Sequence, residues 1–145
     1  MRRVMLLAAL TALGGGAVVA QSDPIAERQA LMKNNGKAAQ AVAAMLSGKA
    51  PFDLATVQTS LKTFEIAAQK GPGLFPDDSK TGEDTHALPK IWENKADFVA
   101  LFGKLGDDSK ALLGSIKDEA SFKAQMPGLF KDCGACHGTY RAKFE

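Results

Sequence analysis

Apolar residues recur along this chain at helical spacing, in four stretches separated by turn-forming residues. The first stretch follows Asp23 and Pro24, which suit the cap and first position of a helix, and it closes near Gly48. The second begins at Asp53 and ends at Gly71, where the pattern predicts a left-handed terminating glycine. The side chains predicted to be buried in the second stretch are Val57, Leu61, Phe64 and Ala68.

The second half of the chain predicts two more helices after a long connection. Residues 71–89 are rich in Pro, Gly, Asp and Ser and show no periodic pattern. A third helix is predicted from Pro89 to Ile116, with a bend or break expected at residues 106–108, and a fourth starts at Asp118 and runs past Tyr140. Because no segment alternates apolar and polar residues, the fold class predicted is all-α, an antiparallel four-helix bundle.

The first twenty residues read as a targeting segment. A basic start at Arg2 and Arg3 precedes an apolar stretch, and Val18 and Ala20 are small residues of the kind that signal peptidase accepts. We therefore expect residues 1–20 to be a removed signal peptide and residues 21–145 to form one domain, exported to a bacterial periplasm. The alternative is a membrane anchor, which residues 14–16, three glycines, disfavour.

Composition and charge exclude several function classes. The chain is 46% apolar and 23% charged, as in ordinary globular proteins, and its net charge is only +2. Such a small excess gives no basic surface for nucleic acid. No Ser, His and acid set and no glycine-rich phosphate loop is present, so the sequence predicts no enzyme.

The residues that indicate chemistry are Cys133, Cys136 and His137, a C-x-x-C-H pattern typical of c-type haem attachment. On a helix they share one face, so two thiols can meet the vinyl groups of a haem while the imidazole reaches the iron. Three other interpretations stay open at this point: a redox dithiol, a zinc site that would need His86, and a small disulfide loop.

The sequence resembles the class II cytochromes c, which comprise the cytochromes c′ and their low-spin relatives. The resemblance covers residues 22–145 and rests on RQALMKNNG, PFD, LFP, KIW and CGACHGTYRAK. It implies a bundle with one haem c near one end. It further implies that Cys133 and Cys136 form the thioethers, that His137 is the proximal iron ligand, and that other contacts come from Arg28 and Gln29 at the propionates and Arg141 near the imidazole.

The resemblance places Met32 at the distal position, where two functions diverge. If Met32 ligates the iron, the protein is an electron carrier; if it only plugs the pocket, the protein is a five-coordinate cytochrome c′ that binds NO or CO. The sequence around Met32, with Leu31 and Lys33, favours the ligand, whereas Arg28 is more typical of cytochromes c′. Expected partners are periplasmic redox proteins, docking at a basic rim of Lys33, Lys131, Arg141 and Lys143, and a homodimer through the first two helices is left open.

Overall fold

The computed structural model describes residues 23–82 and 84–143, and it confirms the all-α prediction. The helices are Pro24–Leu46 (α1), Leu54–Lys70 (α2), Lys90–Glu93 (α3), Lys95–Ser115 (α4) and Glu119–Tyr140 (α5). The long helix α2 packs most extensively on α4, while α1 packs on α2 and α5 on α4. Within the described ranges, no helix is long and apolar enough to cross a membrane. The predicted signal peptide lies outside the described residues.

Side-chain caps set the starts of the long helices α1, α2 and α5. The Asp23 carboxylate accepts from the Ile25 amide at 2.9 Å, and the Asp53 carboxylate accepts from the Thr56 amide at 2.8 Å. Asp118 accepts from the Ser121 amide at 2.8 Å, and the Ser121 hydroxyl accepts in return from the Asp118 amide at 3.1 Å. Such caps satisfy backbone donors that have no partner within the helix, so the predicted start positions are confirmed.

Two glycines have roles that differ from those predicted. Gly71 is not left-handed: its φ is −52°, and the chain continues into a 3-10 helix, Gly71–Leu74. A Cβ at Gly71 would lie 2.3 Å from the Phe102 ring, so close helix packing requires the glycine. Gly106 does not break α4 either, because the helix runs through it; there a Cβ would lie 3.1 Å from Ala68 of α2. The break falls instead at Asn94, whose φ of −124° and ψ of 49° are not helical.

The buried side chains form two clusters. One is mostly aliphatic and joins the end of α1, α2 and the start of α5; it comprises Val42, Met45, Val57, Leu61, Phe64, Ile116, Phe122, Met126 and Leu129. The other is mostly aromatic and joins the start of α4 to the end of α5; it comprises Phe75, Ile91, Phe98, Phe102 and Tyr140. In this aromatic cluster the Phe98 ring meets the rings of Phe75, Phe102 and Tyr140 edge-on, at centroid distances of 4.7, 5.2 and 5.3 Å.

The contact between Gly71 and Phe102 predicts a cost for any side chain at residue 71. Gly71→Ala should destabilise the fold by about 1–3 kcal/mol, since an added methyl group must displace a packed ring. Gly73→Ala in the same 3-10 helix is the matched control, because nothing lies within 4 Å of its Cβ position. Thermal unfolding of the two variants checks this; equal melting temperatures would contradict it.

Candidate functional site

A cavity of about 510 Å³ lies beside the aromatic cluster, between α1, α4, α5 and the connection that precedes α3. Its volume is within the range of ordinary cofactor and ligand sites. The structure brings together at this cavity all seven site residues that the sequence predicted: Arg28, Gln29, Met32, Cys133, Cys136, His137 and Arg141. Its walls are otherwise mainly apolar, and they include Phe64, Ile91, Phe98, Leu101, Leu105 and Phe130.

The last turns of α5 contribute Cys133, Cys136 and His137, all half-buried. Burial and the negative charge of Asp132 raise the pKa of the Cys133 thiol, and burial is the main cause that raises the pKa of Cys136 to about 11. Burial, with a smaller contribution from the Arg141 charge, lowers the pKa of His137. A neutral imidazole is the form that binds a metal, and a lowered pKa favours that form of His137.

The chemistry of these residues argues against the other interpretations of the motif. A redox dithiol needs a thiol of lowered pKa, whereas both thiols here have raised pKa values. Cys133 and Cys136 form no disulfide. Across residues 23–82 and 84–143, no group of three or more His, Cys, Asp or Glu side chains is placed to hold a metal ion.

A haem fits the cavity chemically. Its flat macrocycle needs apolar and aromatic walls, which α4 and the aromatic cluster supply, while its two carboxylates need cations, which Arg28 and Arg141 can provide. The two thiols at one-turn spacing and the neighbouring imidazole lie on the same cavity. Met32 reaches it from a different helix: it is half-buried on α1 and packs, like Cys136, against the aromatic cluster.

The Arg28 side chain is buried, with only 5% exposed, so a solvated helix face does not describe it. One guanidinium nitrogen donates to the Leu74 carbonyl at 3.2 Å and to the Ser79 hydroxyl at 2.9 Å. The other donates to the Ser79 carbonyl at 3.0 Å and to the Thr85 hydroxyl at 2.7 Å. The guanidinium also lies 4.8 Å from the centre of the Phe75 ring. Arg28 therefore ties residues 74–82 and 84–88, hereafter the strap, to α1.

Two further sets of contacts hold the strap at the cavity. Gln29 donates to the Asp84 carbonyl at 3.0 Å. At the far end, the Leu88 amide donates to the Tyr140 carbonyl at 3.0 Å and the His86 carbonyl accepts from the Ala142 amide at 2.8 Å. The strap is thus fixed to both α1 and the end of α5. His86 is exposed, and it lines the cavity as part of this strap.

Several residues that shape the site were missed by the sequence analysis. The hydroxyls of Ser79 and Thr85 accept hydrogen bonds from Arg28. The Tyr140 hydroxyl donates to Asp97 at 2.5 Å, and Asp132 lines the cavity next to Cys133. Ser79 and Thr85 lie in an aperiodic stretch of polar residues, so no local pattern distinguishes them. Asp132 had one usable signal, its position immediately before the first cysteine of the motif.

Comparison with known proteins agrees with this geometry. A family model described as Cytochrome C′ matches residues 23–141. A cytochrome c′ of Rhodopseudomonas palustris is 52% identical over 97% of both chains, and a cytochrome c-556 of Agrobacterium fabrum is 41% identical over 90% of this chain and 88% of its own.

Solved structures of a cytochrome c′ and a cytochrome c556 are similar to this chain in fold and sequence. Rhodopseudomonas palustris cytochrome c′ has a TM-score of 0.84 at 52% identity, covering 86% of this chain and all of its own. An NMR-validated structural model of oxidised cytochrome c556 from the same organism has a TM-score of 0.79 at 34% identity, with the same coverage of both chains.

The hydrogen bonds of Arg28 predict that its planar fork, and not its charge alone, holds the strap. Arg28→Lys keeps the charge but cannot make four such bonds, so amide hydrogens of residues 79–88 should exchange at least tenfold faster. Lys33→Arg, an exposed position on the same helix, is the control and should leave exchange unchanged. Hydrogen exchange followed by mass spectrometry measures both; unchanged exchange in Arg28→Lys would contradict the role.

Proposed function

The chain belongs to the cytochrome c′ family, and from that premise we propose that it is an electron carrier whose haem iron is held by His137 and Met32. Membership makes it a monohaem cytochrome with one covalently bound haem c. The observation that carries the proposal is the position of Met32, whose half-buried thioether lines the same cavity as His137 from another helix. Thioether sulfur is an established haem ligand beside histidine.

Each residue of the site has a proposed part in this function. When bound, the haem supplies a one-electron couple between ferric and ferrous iron. Cys133 and Cys136 anchor it through thioether bonds, and His137 presents a neutral nitrogen because burial disfavours its charged form. The Met32 sulfur favours ferrous iron and raises the reduction potential. The aromatic cluster keeps water from this side of the cavity.

We propose that Arg28 and Gln29 lie beside the haem propionates and that Arg141 lies near the His137 imidazole. The four hydrogen bonds of Arg28 to the strap refine its part, because they make it a support for the strap beside the propionates. Gln29 extends this support through Asp84. Arg141 follows His137 by one turn and lies near enough for its charge to lower the pKa of the imidazole.

A second candidate function is the binding of NO or CO at a five-coordinate iron. It is favoured by the relative that is 52% identical, which is named cytochrome c′. In that case Met32 serves as an apolar plug against the aromatic cluster, a use that its flexible side chain also allows. The two functions differ in one bond, between the Met32 sulfur and iron.

Replacing Met32 by a residue of similar volume tests that bond. Wild-type protein should be low-spin in both oxidation states and should not bind CO, whereas Met32→Leu should become high-spin and bind CO. Met126→Leu, in the aliphatic cluster and fully buried, is the matched control and should resemble wild type. Absorption spectra with and without CO measure this. A high-spin wild type that binds CO would overturn the proposal in favour of gas binding.

The partners and location that we propose follow from surface and sequence features. Lys33, Lys131 and Lys143 are exposed and Arg141 is half-buried, which leaves a basic rim for docking a redox protein of the periplasm. No catalytic role is proposed. The periplasmic location rests on the predicted signal peptide, together with haem attachment outside the cytoplasm.

We also propose that a second copy of the chain binds along α1 and α2. An open groove runs between these helices. Its lining includes small and hydroxyl side chains, the polar residues Asn34, Asn35 and Lys37, and the apolar residues Leu31 and Ile66, of which Ile66 is 48% exposed. Ile66→Glu should shift sedimentation from dimer to monomer, because a charge would be buried at the contact. Val99→Glu is the control, since Val99 is similarly exposed, at 40%, but lies on α4. A monomeric wild type would contradict the dimer.

A further inference from the structure

Asp132 brings a carboxylate to the wall of the haem cavity, one residue before Cys133. Its side chain is only 15% exposed. One carboxylate oxygen pairs with the Lys104 ammonium at 2.8 Å, while the other, Oδ2, is buried and makes no hydrogen bond with the described residues. Because Oδ2 accepts no hydrogen bond of its own, the Asp132 charge is offset on this carboxylate only by the Lys104 pair at Oδ1.

Lys104 does not cancel this charge, because it is shared. Its ammonium also pairs with Asp108 at 2.5 Å, so one cation serves two carboxylates. The Lys104 side chain is 54% exposed, and water screens it more than it screens Asp132. With both carboxylates ionised, the three side chains carry one net negative charge, and Asp132 is the member of this group that lines the cavity.

The charge of Asp132 is felt at the cavity. Together with burial, it raises the pKa of the Cys133 thiol, whose sulfur is one of the two proposed attachment points of the haem. The other charged side chains that line the cavity are Arg28, Asp84 and Arg141. Arg28 and Asp84 take part in the contacts that hold the strap, and Arg141 lies at the end of α5. Their charges are the same in the wild type and in variants of Asp132 or Lys104.

We infer that the negative charge of Asp132 lowers the reduction potential of the bound haem, and that the positive charge of Lys104 partly offsets this effect. The couple adds one electron and no atoms, so ferric haem carries one more positive charge than ferrous haem. A fixed carboxylate in a poorly solvated wall stabilises the more positive state. The inference rests on the proposed haem attachment at Cys133, but it does not depend on whether Met32 is a ligand.

Two charge changes of opposite sign test it on the haem-loaded protein. Asp132→Asn removes the carboxylate and should raise the ferrous-to-ferric ratio about tenfold at a fixed electrode potential, which is about 59 mV for a one-electron couple. Lys104→Gln should lower that ratio, by about threefold, because the screened cation contributes less. Asp132→Glu keeps the charge and should therefore have a reduction potential close to that of the wild type. Spectroelectrochemical titration measures all three.

An ion pair at the other end of α5 supplies matched controls. Glu119 and Lys123 pair at 2.7 Å, and each is 54% exposed, as Lys104 is. Glu119 precedes Cys133 by fourteen residues, which is about 21 Å along a helix, beyond the screening length of about 10 Å at 0.1 M salt. Glu119→Gln and Lys123→Gln should therefore leave the potential unchanged.

Several outcomes would overturn the inference. Loss of packing would move the potential in the same direction in Asp132→Asn and Lys104→Gln, so shifts of one sign would reject a charge effect. Shifts no larger than those of the control variants would reject it as well. If Asp132→Asn does not fold, Lys104→Gln alone still tests the inference, because a higher reduction potential in that variant would reject it. A high-spin wild type would contradict the Met32 proposal, yet the potentials would still report on Asp132.

Discussion

The fold is organised around the cavity of about 510 Å³ at one end of the bundle, which α1, α4 and α5 line. Protein interiors are normally packed as densely as organic crystals, and a dry cavity costs the contacts that its walls lack. Members of this family carry a covalently bound haem c, and we propose that the haem occupies this cavity. The end of α5 supplies two thiols and an imidazole to it, and the aromatic cluster supplies rigid edges.

The remaining structure divides into a part that holds the bundle together and a part that shapes the site. The aliphatic cluster stabilises the end of the bundle where α1 meets α2 and α4 meets α5. At the other end, the chain between α2 and α3 crosses the cavity as the strap. The described residues of the strap form no long helix, so their position depends on hydrogen bonds from Arg28, Gln29 and the end of α5.

Burial is the largest cause of the pKa shifts of Cys133, Cys136 and His137. The same desolvation that raises the pKa values of Cys133 and Cys136 lowers the pKa of His137, so burial favours the neutral form of each group. The Asp132 side chain is only 15% exposed, so its charge is screened less by water than the charges of exposed side chains. This is why a charge outside the proposed ligand set can tune the potential.

The sequence by itself determined what depends on near neighbours in the chain. The caps at Asp23, Asp53 and Asp118, the apolar stripes and the C-x-x-C-H turn are local patterns, and they were enough to predict the all-α bundle and the haem-attachment motif of α5. The starts of α1, α2 and α5 could be placed for the same reason: a cap bonds within three residues of itself. The other predicted cavity residues, among them Arg28 and Met32, came from the resemblance to class II cytochromes c.

Only the tertiary structure decided the contacts between distant segments. Arg28 meets Ser79 across 51 positions, Gly71 is required by a ring on α4, and Lys104 joins Asp132 of another helix. Gly106 looked like a helix breaker because glycine is flexible, yet it serves a close approach of α2 and α4. Such contacts follow no periodic pattern in the sequence, since they depend on which helix faces pack together in the folded chain.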